Sequence, residues 1–111
     1  MAPIQLLAII TPKPDRLARS EELAREMVKH IEATEPNTLK YQYFKSGTPE
    51  EPKIVVWEVF ADAAALKAHQ DSPKLAWLIE REKEESNFAK PLEVLTLEHF
   101  AGFDAREDSK N

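Results

Sequence analysis

A single α+β domain built on a four-stranded antiparallel sheet is what the sequence predicts, and three observations predict it. The chain has 111 residues, a size at which one hydrophobic core is usual. Its eight prolines fall between periodic segments rather than inside them, so they read as boundaries. The segments run strand, helix, strand, strand, helix pair, strand. Short connections and right-handed crossovers then place the first and third strands side by side at the sheet centre, with the helices over one face. The domain is expected over residues 1–103, with a polar tail over 104–111 that is either loose or draped on a neighbour.

Ile4 to Thr11 is rich in Ile and Leu and is closed by Pro12 and Pro14, so it reads as the first strand. From Asp15 to Thr34, Leu17, Leu23, Ala24, Met27, Val28 and Ile31 recur at spacings of three and four. Glu21, Glu22, Arg25, Glu26, Lys29 and Glu32 take the opposite side, which makes an amphipathic helix stopped by Pro36. Thr38 to Lys45 and Lys53 to Ala61 are strands joined by "SGTPEEP", a hairpin with a longer connection. Asp62 is placed to cap a short helix reaching about Gln70. Ser72 caps the next, with Pro73 at the first helical position, where its missing donor costs nothing. That helix extends to about Glu85, and Pro91 precedes a last strand, Leu92 to Phe100.

Composition narrows the function classes. Acids outnumber bases 20 to 15 for a net charge of -5, whereas binding to phosphates needs clustered Lys and Arg, so a nucleic-acid partner is not expected. There are no cysteines, which removes disulfides, thiolate metal sites and cysteine nucleophiles. Leu6 to Ile10, the longest apolar run, is too short to span a bilayer, and the N-terminal stretch lacks a signal-peptide pattern, so a cytoplasmic protein with no membrane partner is expected. The only glycines are Gly47 and Gly102, and no Gly-rich nucleotide loop exists. His30 and His99 form no ligand spacing with His69, so no metal is expected.

The third strand is apolar on both sides. Ile54, Val56 and Phe60 share one face, while Val55, Trp57 and Val59 share the other. Helices can cover only one of them. Burial of the rear patch at roughly 25 cal/mol per Å² amounts to several kcal/mol, so a second copy is expected to cover it in a symmetric homodimer, the alternative being that the tail or the Thr38 to Lys45 hairpin folds over it.

Three stretches carry a resemblance. "EPNTLKYQYF" (35–44), "VVWEVFADAAALKAH" (55–69) and "DSPKLAWLI" (71–79), in that order and spacing, resemble the antibiotic biosynthesis monooxygenase domain, a ferredoxin-like fold that forms a dimeric α/β barrel. The resemblance covers about residues 4 to 100. It implies cofactor-independent oxygenation of a small quinol, phenol or secondary metabolite by O2, without metal, flavin or nicotinamide. Haem-degrading relatives use an Asn on the first strand and a Trp ending the third, where this chain has Leu7 and Phe60, so only the helix His, His69, is retained. Asn37 stands where the family has Gly, and Asn also tolerates a left-handed turn.

His69 is the candidate base, since imidazole accepts a phenolic proton near neutrality. On a helix starting at Asp62 it shares a face with Ala65 and Leu66, towards the cleft between helices and sheet. Its other reading is a helix end, where the ring bonds a free carbonyl. Substrate-contacting candidates are Phe60, which matches the family's Trp position, together with Tyr41, Tyr43, Glu58 and Glu82. The tyrosines share a face and either bind a substrate oxygen or pack across strands. Glu58 lies within an apolar row, with Lys40 or Lys45 as expected partners. Glu82 continues the apolar stripe of the third helix, or reaches solvent as that helix ends. A non-catalytic binding barrel and a base-catalysed isomerase or lyase fit the same residues.

Overall fold

A computed structural model describes residues 3–106. Four strands, β1 (Ile4–Ile10), β2 (Thr38–Gly47), β3 (Pro52–Phe60) and β4 (Glu93–Leu97), form one sheet in the order β2-β3-β1-β4, with every neighbouring pair antiparallel. Three α-helices connect them: α1 (Leu17–Thr34), α2 (Ala63–Gln70) and α3 (Pro73–Glu84). This is the ferredoxin-like α+β arrangement. β4 is shorter than the predicted Leu92 to Phe100, and Phe100 lies beyond it almost fully exposed. Residues 107–111 of the predicted tail lie outside the described residues. Among the described residues no helix is long and apolar enough to cross a membrane.

The start of the first helical segment differs in detail from the prediction. Pro14–Arg16 forms a single 3-10 turn, and the α-helix proper begins at Leu17. Pro14 stands at the first position of that turn, where a missing N–H leaves nothing unpaired. The caps of the later helices form as expected. Asp62 Oδ1 accepts from Ala65 N at 2.8 Å, and Ser72 Oγ accepts from Lys74 N at 3.1 Å and Leu75 N at 3.4 Å.

The turn into β2 is a correction. Among the described residues Ser86 is the only non-glycine residue with positive φ, so Asn37 does not use the left-handed region that its replacement of a glycine suggested. The break in regularity comes instead as a bulge between Thr38 and Lys40, which turns Leu39 out to solvent. Ser86, at φ 53°, ends α3. The chain then doubles back onto β1 through Lys13 N–H to Asn87 O (2.8 Å) and Ala89 N–H to Thr11 O (2.7 Å).

Packing under the helices is uneven, and that unevenness positions the site. α1 buries Leu23, Ala24, Met27 and Ile31. Beneath the helices, Leu6, Phe60 and Ala65 form one apolar cluster and Ala8, Ile54 and Val56 another. α3, by contrast, buries a single side chain, Glu82. Its stripe of Leu75, Leu78 and Ile79 faces a cavity instead of closing on the sheet. Among the described residues the opposite face of the sheet carries no helix, and Val55, Trp57 and Val59 remain half-buried there. Leu7 also lies on that rear face, opposite Trp57, while Leu6 faces the cavity.

Candidate active site

The cavity between α3 and the sheet measures about 750 Å³. Leu6, Ala8, Ile10, Val56, Leu75, Leu78 and Val94 line it with apolar surface. Among them His69, Tyr41, Tyr43, Glu58 and Glu82 present polar atoms. A largely apolar hollow with a few convergent polar groups is the usual form of a small-molecule site.

His69 reaches the cavity from the last turn of α2, as its spacing from Ala65 predicts, and it is 4% exposed. It does not serve as a cap: both nitrogens of its imidazole face carboxyl groups. Nδ1 lies 3.0 Å from Glu35 Oε1, and Nε2 lies 3.6 Å from Glu58 Oε1. Glu35 follows α1, so the chain end of one helix orients a side chain on another. The same Glu35 oxygen accepts from Thr38 Oγ1 at 2.8 Å, while Glu35 Oε2 is buried without a partner.

Glu58 departs from expectation in its partners. Lys40 stands over the Trp57 ring on the rear face, 3.8 Å from its centre, and Lys45 pairs with Glu21. The reason is geometric. Lys40 is paired with Val59 and points to the other side of the sheet, whereas α2 brings the imidazole across the helix-covered face. Burial, followed by the charge of Glu35, pushes the Glu58 carboxyl up to about 7.

Phe60 is not on the cavity wall. It is fully buried, and its ring centre lies 5.1 Å from that of His69, so it backs the imidazole from within the core. Tyr41 and Tyr43 do line the cavity, with their hydroxyls 2.8 Å apart and their rings edge to face. Tyr41 also sits 5.7 Å from the His69 ring. Burial raises both phenols, Tyr43 to about 12 and Tyr41 further, so both stay protonated hydrogen-bond donors at neutral pH.

Glu82 stays inside instead of reaching solvent. Its Oε1 accepts from Asn87 Nδ2 at 2.6 Å and from Ser20 Oγ at 3.3 Å. Burial raises its carboxyl above the ordinary range, and these two hydrogen bonds oppose the rise. Asn87 Oδ1 in turn accepts from Arg16 Nε, so a polar chain runs from the cavity wall to the surface.

Glu35 was not among the sequence-derived site residues. The signal for it lay in the first letter of "EPNTLKYQYF", which pointed to a family pattern but not to a role. Asn87 gave no signal, because its burial follows from the doubling back of the chain after Ser86.

Known proteins share this fold. The family model described as antibiotic biosynthesis monooxygenase matches residues 3–81. No functionally curated protein matches the chain. A solved protein of Caulobacter crescentus CB15 superposes with a TM-score of 0.78 at 23% identity, over 89% of this chain and 91% of that one. Rv0793 from Mycobacterium tuberculosis gives 0.73 at 22% identity, over 93% and 100%. A structure described as an antibiotic biosynthesis monooxygenase gives 0.74 at 22%, over 88% and 99%. At such identities the structures share the fold; the family match, spanning most of the chain, goes further. The chain belongs to the antibiotic biosynthesis monooxygenase family.

Proposed function

We propose that the protein is a cofactor-independent monooxygenase that oxidises a small, largely apolar phenol or quinol with O2, using His69 as the base. The observation that carries this reading is a buried imidazole on the wall of an apolar cavity, set beside two phenols and a carboxyl group. A phenol gives up an electron to oxygen far more readily as its anion. His69 takes the phenolic proton, and the surrounding apolar wall keeps the anion from being reprotonated by water. The substrate supplies all the electrons: phenol and O2 become quinone and water, one atom of the O2 ending in each product. The Tyr41 and Tyr43 hydroxyls bond to each other, which leaves one O–H to donate to a substrate oxygen or to reduced oxygen. We further propose that the working unit is a homodimer joined through the rear face of the sheet, where Trp57 and its neighbours lack a helix cover.

Oxygen uptake with a panel of quinols and phenols tests the reading. Turnover is expected with an apolar member of the panel, and His69→Ala is expected to lower kcat by about 10²- to 10⁴-fold. Turnover that survives the substitution removes His69 from the chemistry. Binding with no oxygen consumption favours a carrier, and conversion without oxygen consumption favours a base-catalysed isomerase.

A further inference from the structure

Three ionisable side chains from three separate segments meet at the His69 ring: Glu35 from the connection after α1, Glu58 from β3 and His69 itself from α2, the last two lining the cavity. We propose that Glu58 and His69 hold one proton between them, and that Glu35 is the positioning residue that keeps Nδ1 protonated and leaves Nε2 to exchange that proton. This deepens the function proposed above and rests on it only for the nature of the substrate.

The tautomer follows from the hydrogen bonds of Glu35. Its Oε1 takes the Thr38 hydroxyl at 2.8 Å and faces Nδ1 at 3.0 Å, while Oε2 is buried without a partner. A proton on Oε2 would be a buried donor with nothing to accept it, and a proton on Oε1 would displace one of the two donors already there. As a carboxylate Glu35 accepts both, so Nδ1 carries hydrogen and the neutral ring keeps its lone pair on Nε2.

That lone pair faces Glu58 Oε1 at 3.6 Å. With no proton on either atom, two electron-rich atoms would confront each other in a desolvated setting, beside a second carboxylate. Among the described residues neither Glu35 nor Glu58 has an ion-pair partner other than His69. The remaining titratable groups lining the cavity are Tyr41 and Tyr43 from β2, Glu82 and Lys83 from α3, and Lys13 and Lys90 from the connections; the phenols add no charge, Glu82 is held by Ser20 and Asn87, Lys90 pairs with Glu51, and no lysine makes an ion pair with Glu35 or Glu58 among the described residues. One retained proton relieves the repulsion. The raised proton affinity of Glu58 agrees with this.

The separation also has a use. A gap of 3.6 Å is too long for a direct N–H···O bond, so an oxygen lodged beside the pair can meet both atoms. A substrate hydroxyl there gives its proton to Nε2: the substrate O–H bond breaks and an Nε2–H bond forms. The resulting oxyanion accepts from the Glu58 O–H, and the imidazolium charge lies against Glu35. Base and oxyanion donor are then the two halves of one pair, which works while that pair holds a single proton.

Nitrogen-15 NMR of the uniformly labelled full chain, titrated without substrate, tests the assignment. The neutral His69 ring is expected in the Nδ1–H form. Glu35→Gln should raise the Nε2–H form, and Glu58→Gln should alter the His69 ring-nitrogen signals across the pH range, with those of His30 and His99 unmoved. An Nε2–H ring in the wild type, or His69 ring-nitrogen signals indifferent to Glu58→Gln, overturns the proposal. If Glu35→Gln fails to fold, those two measurements still decide it. Absence of oxygen uptake alongside the expected spectra overturns the monooxygenase reading and leaves the proton pair standing.

Discussion

The two faces of the sheet are made from the same material and end up in different states. Along β3, Ile54, Val56, Glu58 and Phe60 are buried on one side, while Val55, Trp57 and Val59 alternate with them and stay half-buried on the other. The difference lies in what the connections bring over. The two crossovers of this topology place α1, α2 and α3 on one side, so the rear face has only its own side chains for cover. There Lys40 lies over the Trp57 ring, and Trp57 Nε1 donates to Gln5 Oε1 at 3.3 Å. These contacts shield part of an indole but leave Leu95 and Leu97 of β4 exposed. Burial on one face supports folding; the apolar surface left on the other is available for association.

The largest effect should come from breaking the covered face at its most buried point. Phe60 is 0% exposed and backs the His69 ring. Phe60→Ala leaves a cavity that its neighbours can only partly fill, and the expected loss is about 3–5 kcal/mol in urea unfolding. A loss below about 1 kcal/mol would mean that α2 can collapse onto the sheet.

A second, opposite-signed effect belongs to Glu58 on the same face. Its carboxyl is held up to about 7 by burial, against an ordinary value of 4.5, so the folded state binds the proton more tightly than the unfolded chain does. Stability from that proton is full below pH 4.5 and is lost as pH rises towards about 7. Glu58→Gln has no such proton to lose. At pH 8 it should be more stable than the wild type by about 1–3 kcal/mol, and the gap should close near pH 4. Thermal unfolding of the two proteins across that range measures it. A constant gap at all pH values would show that the carboxyl is solvated in the folded state.

These two residues also mark how far the sequence could be read. Strand alternation separates Phe60 from Trp57, and Asp62, Ser72 and Pro73 place the helix starts, because caps and alternation are local properties written within a few residues. Glu58 was legible as a buried carboxyl for the same reason. Its partner was not: same-strand and cross-strand neighbours suggested lysines, and only the docking of α2 puts an imidazole there. Glu35, a loop residue 34 positions before His69, is joined to it by the same docking. The cavity was equally hidden. Leu75, Leu78 and Ile79 have the spacing of an ordinary core stripe, and the hollow exists because α3 stands away from the sheet, a distance that no periodicity encodes.

The smallest expected effect on folding is also the sharpest test of the rear face. Leu95 lies on β4 opposite Leu7, on the side away from the helices, and is 47% exposed in the single chain. Replacing so exposed a side chain by lysine should change the stability of an isolated chain by no more than about 0.5 kcal/mol. If a second copy covers that face, each Leu95 lies in or beside the shared apolar layer, and Leu95→Lys introduces a charge that must be desolvated on association. Sedimentation at micromolar concentration should then show a dimer for the wild type and a single folded chain for the variant. The pairing of results carries the meaning. A variant that unfolds would indicate that the face is already internal to one chain, and a variant that stays dimeric would move the interface elsewhere. A wild type that sediments as one chain would leave the apolar surface of β1, β3 and β4 in water, at a cost of roughly 25 cal/mol for each Å² that a partner could have covered.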